Sequence, residues 1–366
     1  MKLGRTIGNL CLLSVSCYIG LMVVDAALDI LLFKQTGRQP QGLYRVDETR
    51  GYALSPSFSG VIRKATETPV RTNAHGYRDT EWTFDQPFRV LVVGDSFTFG
   101  SGMPIEQGFV FKARALMKGK AAFYNAGVGG YGVAHVLATI RKECPVVGPR
   151  HIFYMYFQND TRWDNMRPEA LTVRDGYLAS RFVDQGRREL SDAEISAAIE
   201  KSLNSSDWSL GRTLRLFSIR RFFSERQLHP RQLLERLFSV KKLEQDYTTR
   251  YIATANTDAY PPENASKAAA MIETMKSEAS KCGAGFSMVV LPGYAEAYYG
   301  TIEPATERLM KALAGKDVET LDLRKHVARG TNLSLVGDGH YNADATAWTA
   351  DWLRKELLRL YPELRS

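Results

Sequence analysis

Residues 89–100 read Arg-Val-Leu-Val-Val-Gly-Asp-Ser-Phe-Thr-Phe-Gly, and the break inside this stretch decides the fold class. Arg89 to Val93 is an apolar run of strand length, without the polar alternation of a strand that faces water on one side. Four more runs of this kind follow, Ala121 to Tyr124, His151 to Phe157, Phe286 to Leu291 and Val318 to Leu323. Helical periodicity fills the gaps near 108–117, 133–143, 264–281, 304–314 and 343–360. Strands apolar on both faces, alternating with helices, predict an α/β domain with a five-stranded parallel sheet covered on both sides. Active sites in such folds collect at the carboxyl ends of the strands.

The residues able to do chemistry sit at those ends. Ser96 follows the first strand directly, with Gly94 two residues before it, so a tight turn can present its hydroxyl at the sheet edge. That is the logic of a nucleophile elbow, although the spelling is not the G-x-S-x-G of α/β hydrolases; alone, such a serine could equally cap the next segment. The second strand ends in Gly127-Val128-Gly129-Gly130-Tyr131-Gly132. This spells a dinucleotide turn, but it follows the second strand, and no acidic residue ends the next strand to hold a ribose. The other use of such a loop is to aim a backbone N–H at a reacting oxygen. The third strand ends at Gln158-Asn159-Asp160, and Gly337-Asp338-Gly339-His340 lies after the fifth strand and before the last helix.

Together these blocks resemble the SGNH (GDSL-type) hydrolases, over about residues 70–360 except an insertion. Gly94-Asp95-Ser96 matches the first block, Asn125 to Tyr131 the second, Asn159-Asp160 the third, and Asp338 with His340 the fifth. The preamble Thr72-Asn73-Ala74-His75-Gly76-Tyr77-Arg78-Asp79 resembles the segment before the serine block in membrane-anchored members. The resemblance implies a three-layer α/β/α, flavodoxin-like fold and a triad of Ser96, Asp338 and His340. The oxyanion donors would be the Ser96 N–H, the Gly130 N–H and the Asn159 amide. No cofactor or metal is implied. Two departures stand out: Phe157 occupies the usual Gly of the third block, and the acid lies two residues before His340, a D-x-H spacing similar to that of alginate-type polysaccharide acetyltransferases. Asp95 and Asp160 read as loop-positioning groups.

The 366 residues, 44% hydrophobic and 24% charged, exclude collagen-like, coiled-coil and wholly disordered chains. From Ile7 to Val24 no charged residue occurs, and Lys2 and Arg5 precede the run. As a helix it would reach about 27 Å, close to a hydrocarbon core. It is long for a signal-peptide core and lacks a small-x-small cleavage site. Neither Cys11 nor Cys17 has a lipoprotein-type leucine three residues before it, where Gly8 and Ser14 stand, and a buried core helix fits the basic flank poorly. An uncleaved signal anchor over residues 1–33 is therefore expected, with a periplasmic domain beyond a single-pass inner-membrane helix. Residues 34–87 read as a linker and edge segment with a hairpin between Gly60–Lys64 and Pro69–Asn73, and residues 88–366 as the hydrolase domain. A helical insertion over 170–255 carries an arginine-rich stretch from Arg187 to Arg231. With the net charge of +8, that stretch suits an acidic glycan or lipid surface, and its place outside the membrane excludes nucleic acid as a partner. With four cysteines and no C-x-x-C pair, Cys144 and Cys282 read as buried thiols.

The function expected from these features is a serine esterase removing O-acyl groups, foremost O-acetyl, from an extracytoplasmic glycan. Its substrate partner is an acylated carbohydrate or a lipid ester. The alternatives are an O-acetyltransferase on the same glycan, a lipase or lysophospholipase, and a non-catalytic glycan-binding scaffold. The Tyr-rich stretch Leu291 to Gly300 could stack on a sugar or simply pack its loop.

Overall fold

A computed structural model describes residues 2–32, 39–63, 67–183, 186–204, 259–335 and 339–365. The five apolar runs form the strands β1 (Arg89–Gly94), β2 (Ala122–Gly127), β3 (His151–Tyr156), β4 (Gly285–Val290) and β5 (Glu319–Asp322). They pair in the order β5-β4-β3-β1-β2, every pair parallel, with Val90 opposite His151 and Gly94 opposite Gly127. The fold is therefore mixed α/β around one five-stranded parallel sheet, as the alternation of runs and helices requires. The strand order reverses beside β1, so a crevice opens at the carboxyl ends of β1 and β3.

The helices are α1 (Phe109–Leu116), α2 (Val133–Val147), α3 (Pro262–Lys281), α4 (Pro304–Leu313) and α5 (Ala343–Leu360). Successive strand side chains point to opposite faces, which splits the core into two layers. Leu91, Val93, Tyr154 and Met288 pack with Val136 and Ile140 of α2, Ile272 and Met275 of α3, and Leu309 of α4. Val90, Val92, Phe153 and Val289 pack with Phe109 and Val110 of α1 and with Leu353 and Leu357 of α5. Continuous apolar runs are needed because both faces of each strand are covered.

Three features go beyond the sequence reading. Residues 39–87 are more than a linker with an edge strand, since neither of their antiparallel ribbons joins the main sheet. The anticipated hairpin forms, Ser59–Arg63 with Glu67–Arg71, and so does a second, Tyr44–Asp47 with Gly51–Leu54. Leu43, Tyr52, Leu54, Tyr77 and Trp82 are buried in the same layer as α2, which explains the aromatic content of the segment. A buried relay fixes it there: Arg50 donates to the Tyr77 hydroxyl at 2.9 Å, and Tyr77 donates to Glu143 of α2 at 2.8 Å.

The region expected as a helical insertion opens on a β-ribbon, Leu171–Arg174 with Tyr177–Ser180. Its Asp175-Gly176 turn has φ of 53° and 79°, the left-handed geometry that an Asp-Gly pair supplies to a two-residue hairpin. A helix, Asp192–Asn204, comes next, and most of the arginine-rich stretch lies outside the described residues. At the N-terminus, Lys2–Leu32 is one helix on which Leu12, Leu13, Val15, Ile19, Val23 and Val24 are exposed. Among the described residues no helix is long and apolar enough to cross a membrane, and the side chains of residues 2–11 are not among those described.

Cys144 and Cys282 are bonded as a disulfide rather than free, because α2 and α3 lie side by side and bring their Cα atoms to 6.2 Å. The bridge closes a loop of 138 residues, for which chain entropy predicts a stabilisation of about 5 kcal/mol. Replacing both cysteines by Ala should lower the unfolding free energy by about 2–5 kcal/mol in denaturant titrations. Thiol titration of the unfolded, unreduced protein should find only Cys11 and Cys17, and four reactive thiols would contradict the bridge.

Candidate active site

The site is built where β1 ends. Asp95 caps a four-residue helix, Ser96–Phe99, its carboxylate accepting from the Phe97 N–H at 2.9 Å, and Gly100 closes the turn with φ of 79°. Ser96 is thus the first residue of the helix, partly exposed, while Phe97, Thr98 and Phe99 are buried beneath it. The turn sits so low on the sheet that side chains are excluded below it. A Cβ at Gly94 would overlap Thr98, and one at Gly127 would lie 2.5 Å from the Phe99 nitrogen. These two glycines, paired across β1 and β2, set the depth at which the serine is presented.

A buried cation holds the far end of the turn. Arg78 donates to the carbonyls of Phe99 at 3.0 Å, Gly100 at 2.8 Å and Met103 at 2.6 Å. Burial lowers its guanidinium to about 10. Next to it, Asp79 accepts from the Asn125 N–H at 2.9 Å and from Arg114 at 2.6 Å, and Asn125 donates to the Thr98 carbonyl at 2.9 Å. The Arg78-Asp79 pair of the preamble therefore ties β2, the serine turn and the first ribbons together. The sequence singled out this pair only by resemblance, since its partners lie 21 to 46 residues away.

His340 reaches the same point from the other side of the sheet. Its Nε2 is 2.7 Å from Ser96 Oγ. The loop that carries it is pinned by an isolated bridge between Ser334 and Tyr341, by the Leu335 N–H donating to the His340 carbonyl at 2.6 Å, and by the Tyr341 hydroxyl donating to Pro292 at 3.0 Å. Phe97 packs against the imidazole, ring centroids 5.0 Å apart. Asp338 lies outside the described residues, so its place relative to His340 is not described.

Asn159, three residues after β3, has its backbone carbonyl held by the Asn165 amide at 2.9 Å. Burial pushes the carboxyls of Asp95 and Asp160 above the usual range. Asp160 accepts from Tyr154 at 2.8 Å and from the Phe157 N–H at 3.3 Å, so both acids hold loops in place as the sequence suggested. The 127–132 loop passes beside the serine. A Cβ at Gly129 would be 3.9 Å from the serine Cβ, and Gly130 follows with φ of 82°.

Ser96, Asn159 and His340 share a cleft of about 300 Å³ with Phe97, Phe157 and Tyr294, whereas Gly130 is not among its lining residues. Phe157, in the position expected for glycine, stacks on Phe97 at 4.0 Å and closes that wall. Gly293 lies in van der Waals range of its ring. The Tyr-rich stretch is a short helix, Tyr294–Tyr299. It packs on itself, Tyr294 stacking on Tyr298 at 5.3 Å, and Tyr294 also lines the cleft. Among the described residues no group of acids, histidines and cysteines could hold a metal ion.

No protein-family model and no curated protein matches the chain. Solved structures do. An acetyl xylan esterase aligns with 74% of this chain and 99% of its own at 11% identity, with a TM-score of 0.37. The psychrotrophic esterase EstA from Pseudoalteromonas sp. aligns with 74% and 97% at 10% identity and a TM-score of 0.36. A carbohydrate acetylesterase family member from Sinorhizobium meliloti aligns with 74% and 98% at 13% identity and a TM-score of 0.33.

If Arg78 anchors the serine turn, Arg78→Met strands three buried carbonyls. It should cost at least about 3 kcal/mol in thermal or urea unfolding, and a loss below about 1 kcal/mol would show that the turn holds without it.

Proposed function

We propose that the chain is a serine ester hydrolase of the SGNH type, and the 2.7 Å approach of His340 Nε2 to Ser96 Oγ is the observation that carries this reading. A serine hydroxyl is a weak nucleophile until a base takes its proton. Here the base is already within hydrogen-bond distance, on a loop clamped at both ends. Ser96 Oγ attacks the ester carbonyl as its proton passes to His340 Nε2. The tetrahedral oxyanion is met by the Ser96 N–H, the Gly130 N–H and the Asn159 amide. Collapse breaks the acyl–oxygen bond, and His340 returns the proton to the departing alkoxide. Water, deprotonated by the same imidazole, then releases the acid from Ser96. Asp338 is the group assigned to orient His340 and stabilise its charged form.

The substrate is a small acyl ester, foremost acetyl, on an extracytoplasmic glycan. The closed Phe97–Phe157 wall and the cleft of about 300 Å³ favour a short acyl chain over a fatty one. The partly exposed Tyr294 and Tyr298 offer ring faces to a sugar. The charge-free run from Ile7 to Val24, preceded by Lys2 and Arg5, supports a single-pass anchor in the inner membrane with the sheet domain in the periplasm. The Cys144–Cys282 disulfide suits that oxidising compartment.

The full chain should hydrolyse a chromogenic acetate ester at least about 100-fold faster than Ser96→Ala, and faster than the matching long-chain ester. Equal turnover by Ser96→Ala would remove the serine from the mechanism, and preference for the long chain would make the protein a lipase instead.

A further inference from the structure

The N-terminal ribbon reaches the loop beside the serine. Tyr52, in the strand Gly51–Leu54, donates its hydroxyl to the Gly129 carbonyl at 3.0 Å. The loop answers in the opposite sense, the Tyr131 hydroxyl donating to the Tyr52 carbonyl at 2.7 Å. Tyr52 is completely buried, its ring edge-on to Tyr44 and Tyr131 with centroids 5.7 Å and 5.2 Å away. Burial keeps its hydroxyl protonated, so it remains a donor throughout the physiological range.

The carbonyl that Tyr52 holds belongs to the same peptide unit as the Gly130 N–H. Described peptide bonds are all trans, and in a trans unit the C=O and the N–H point in opposite directions within one plane. Fixing the oxygen of Gly129 therefore fixes the direction of the Gly130 hydrogen. Gly129 also lies beside the serine, a Cβ there being 3.9 Å from Ser96 Cβ. A Cβ at Gly130 would come within 2.8 Å of the Tyr52 hydroxyl, so the loop closes this tightly only on a glycine. Among the described residues no hydrogen bond takes up the Gly130 N–H, which leaves it available to a bound oxyanion.

From this geometry we infer that Tyr52 is a positioning residue for the oxyanion site: its hydroxyl, delivered from outside the sheet domain, clamps the Gly129–Gly130 peptide so that the Gly130 N–H faces the carbonyl oxygen of an ester on Ser96. The inference rests on the hydrolase reading above and adds a residue to it. Tyr52 is thereby the one side chain of the first ribbon that the proposal assigns to the site.

Tyr52→Phe removes the hydroxyl and keeps the ring. With a chromogenic acetate ester and the full chain, kcat should fall about tenfold, less than the 10²–10³ typical of deleting a donor outright, while KM stays within about twofold. Tyr44→Phe is the control: its hydroxyl lies 3.6 Å from the Gly129 Cβ position in the same aromatic cluster, and it should leave kcat unchanged. Wild-type kcat in Tyr52→Phe overturns the proposal, as does an equal loss in both variants. If wild-type hydrolysis proves independent of Ser96, the hydrolase reading falls and the proposal falls with it.

Discussion

The close seating of the Ser96–Phe99 helix on the ends of β1 and β2 is the constraint from which the rest of the site follows. Thr98 and Phe99 press on the strands where Gly94 and Gly127 have no side chains, and no other residue type leaves that room. The depth so defined puts Ser96 at the level of the loops after β2 and β3, where Gly129 and Asn159 wait, and within reach of His340 from the loop before α5. Were the helix raised by a single methyl group, the 2.7 Å approach of the imidazole would be lost.

Such a seat carries strain-prone chemistry, because it buries a charged capping acid and several helix-end carbonyls together. Each finds a partner. Asp95 satisfies the Phe97 N–H of the turn, and Arg78 satisfies the carbonyls at its other end. The preamble that supplies Arg78 is held by Asp79 to β2 and by Tyr77 to α2. The segments preceding the sheet domain thus act as its brace, and a chain lacking them would leave buried acceptors open. Acceptors stranded in this way cost about 1–3 kcal/mol each.

Much of this arrangement was legible in the sequence, because it is written in local signals. Strand-length apolar runs located all five strands to within three residues at each end, because burial in the sheet demands apolar residues there. The helices were equally plain from their periodicity. Ser96, Asn159 and His340 line one cleft, each placed shortly after a strand or just before a helix. Illegible were the contacts made over long separations: Tyr52 with Gly129, Arg78 with Gly100, and Cys144 with Cys282. A short ribbon such as Gly51–Leu54 has too little pattern to reveal which layer it joins. The Asp175-Gly176 turn was a local signal, outweighed by the surrounding charge. Asp338, expected as the orienting acid, lies outside the described residues.

The central claim is that Ser96 is a nucleophile activated by His340, and covalent trapping tests it most directly. The full chain should be treated with a fluorophosphonate and analysed by intact mass and peptide mapping. The account predicts one adduct, on the peptide containing Ser96, formed at least about 100-fold more slowly in His340→Ala, as expected when a positioned general base is removed. An unmodified Ser96, or an adduct whose rate is indifferent to His340, would contradict it.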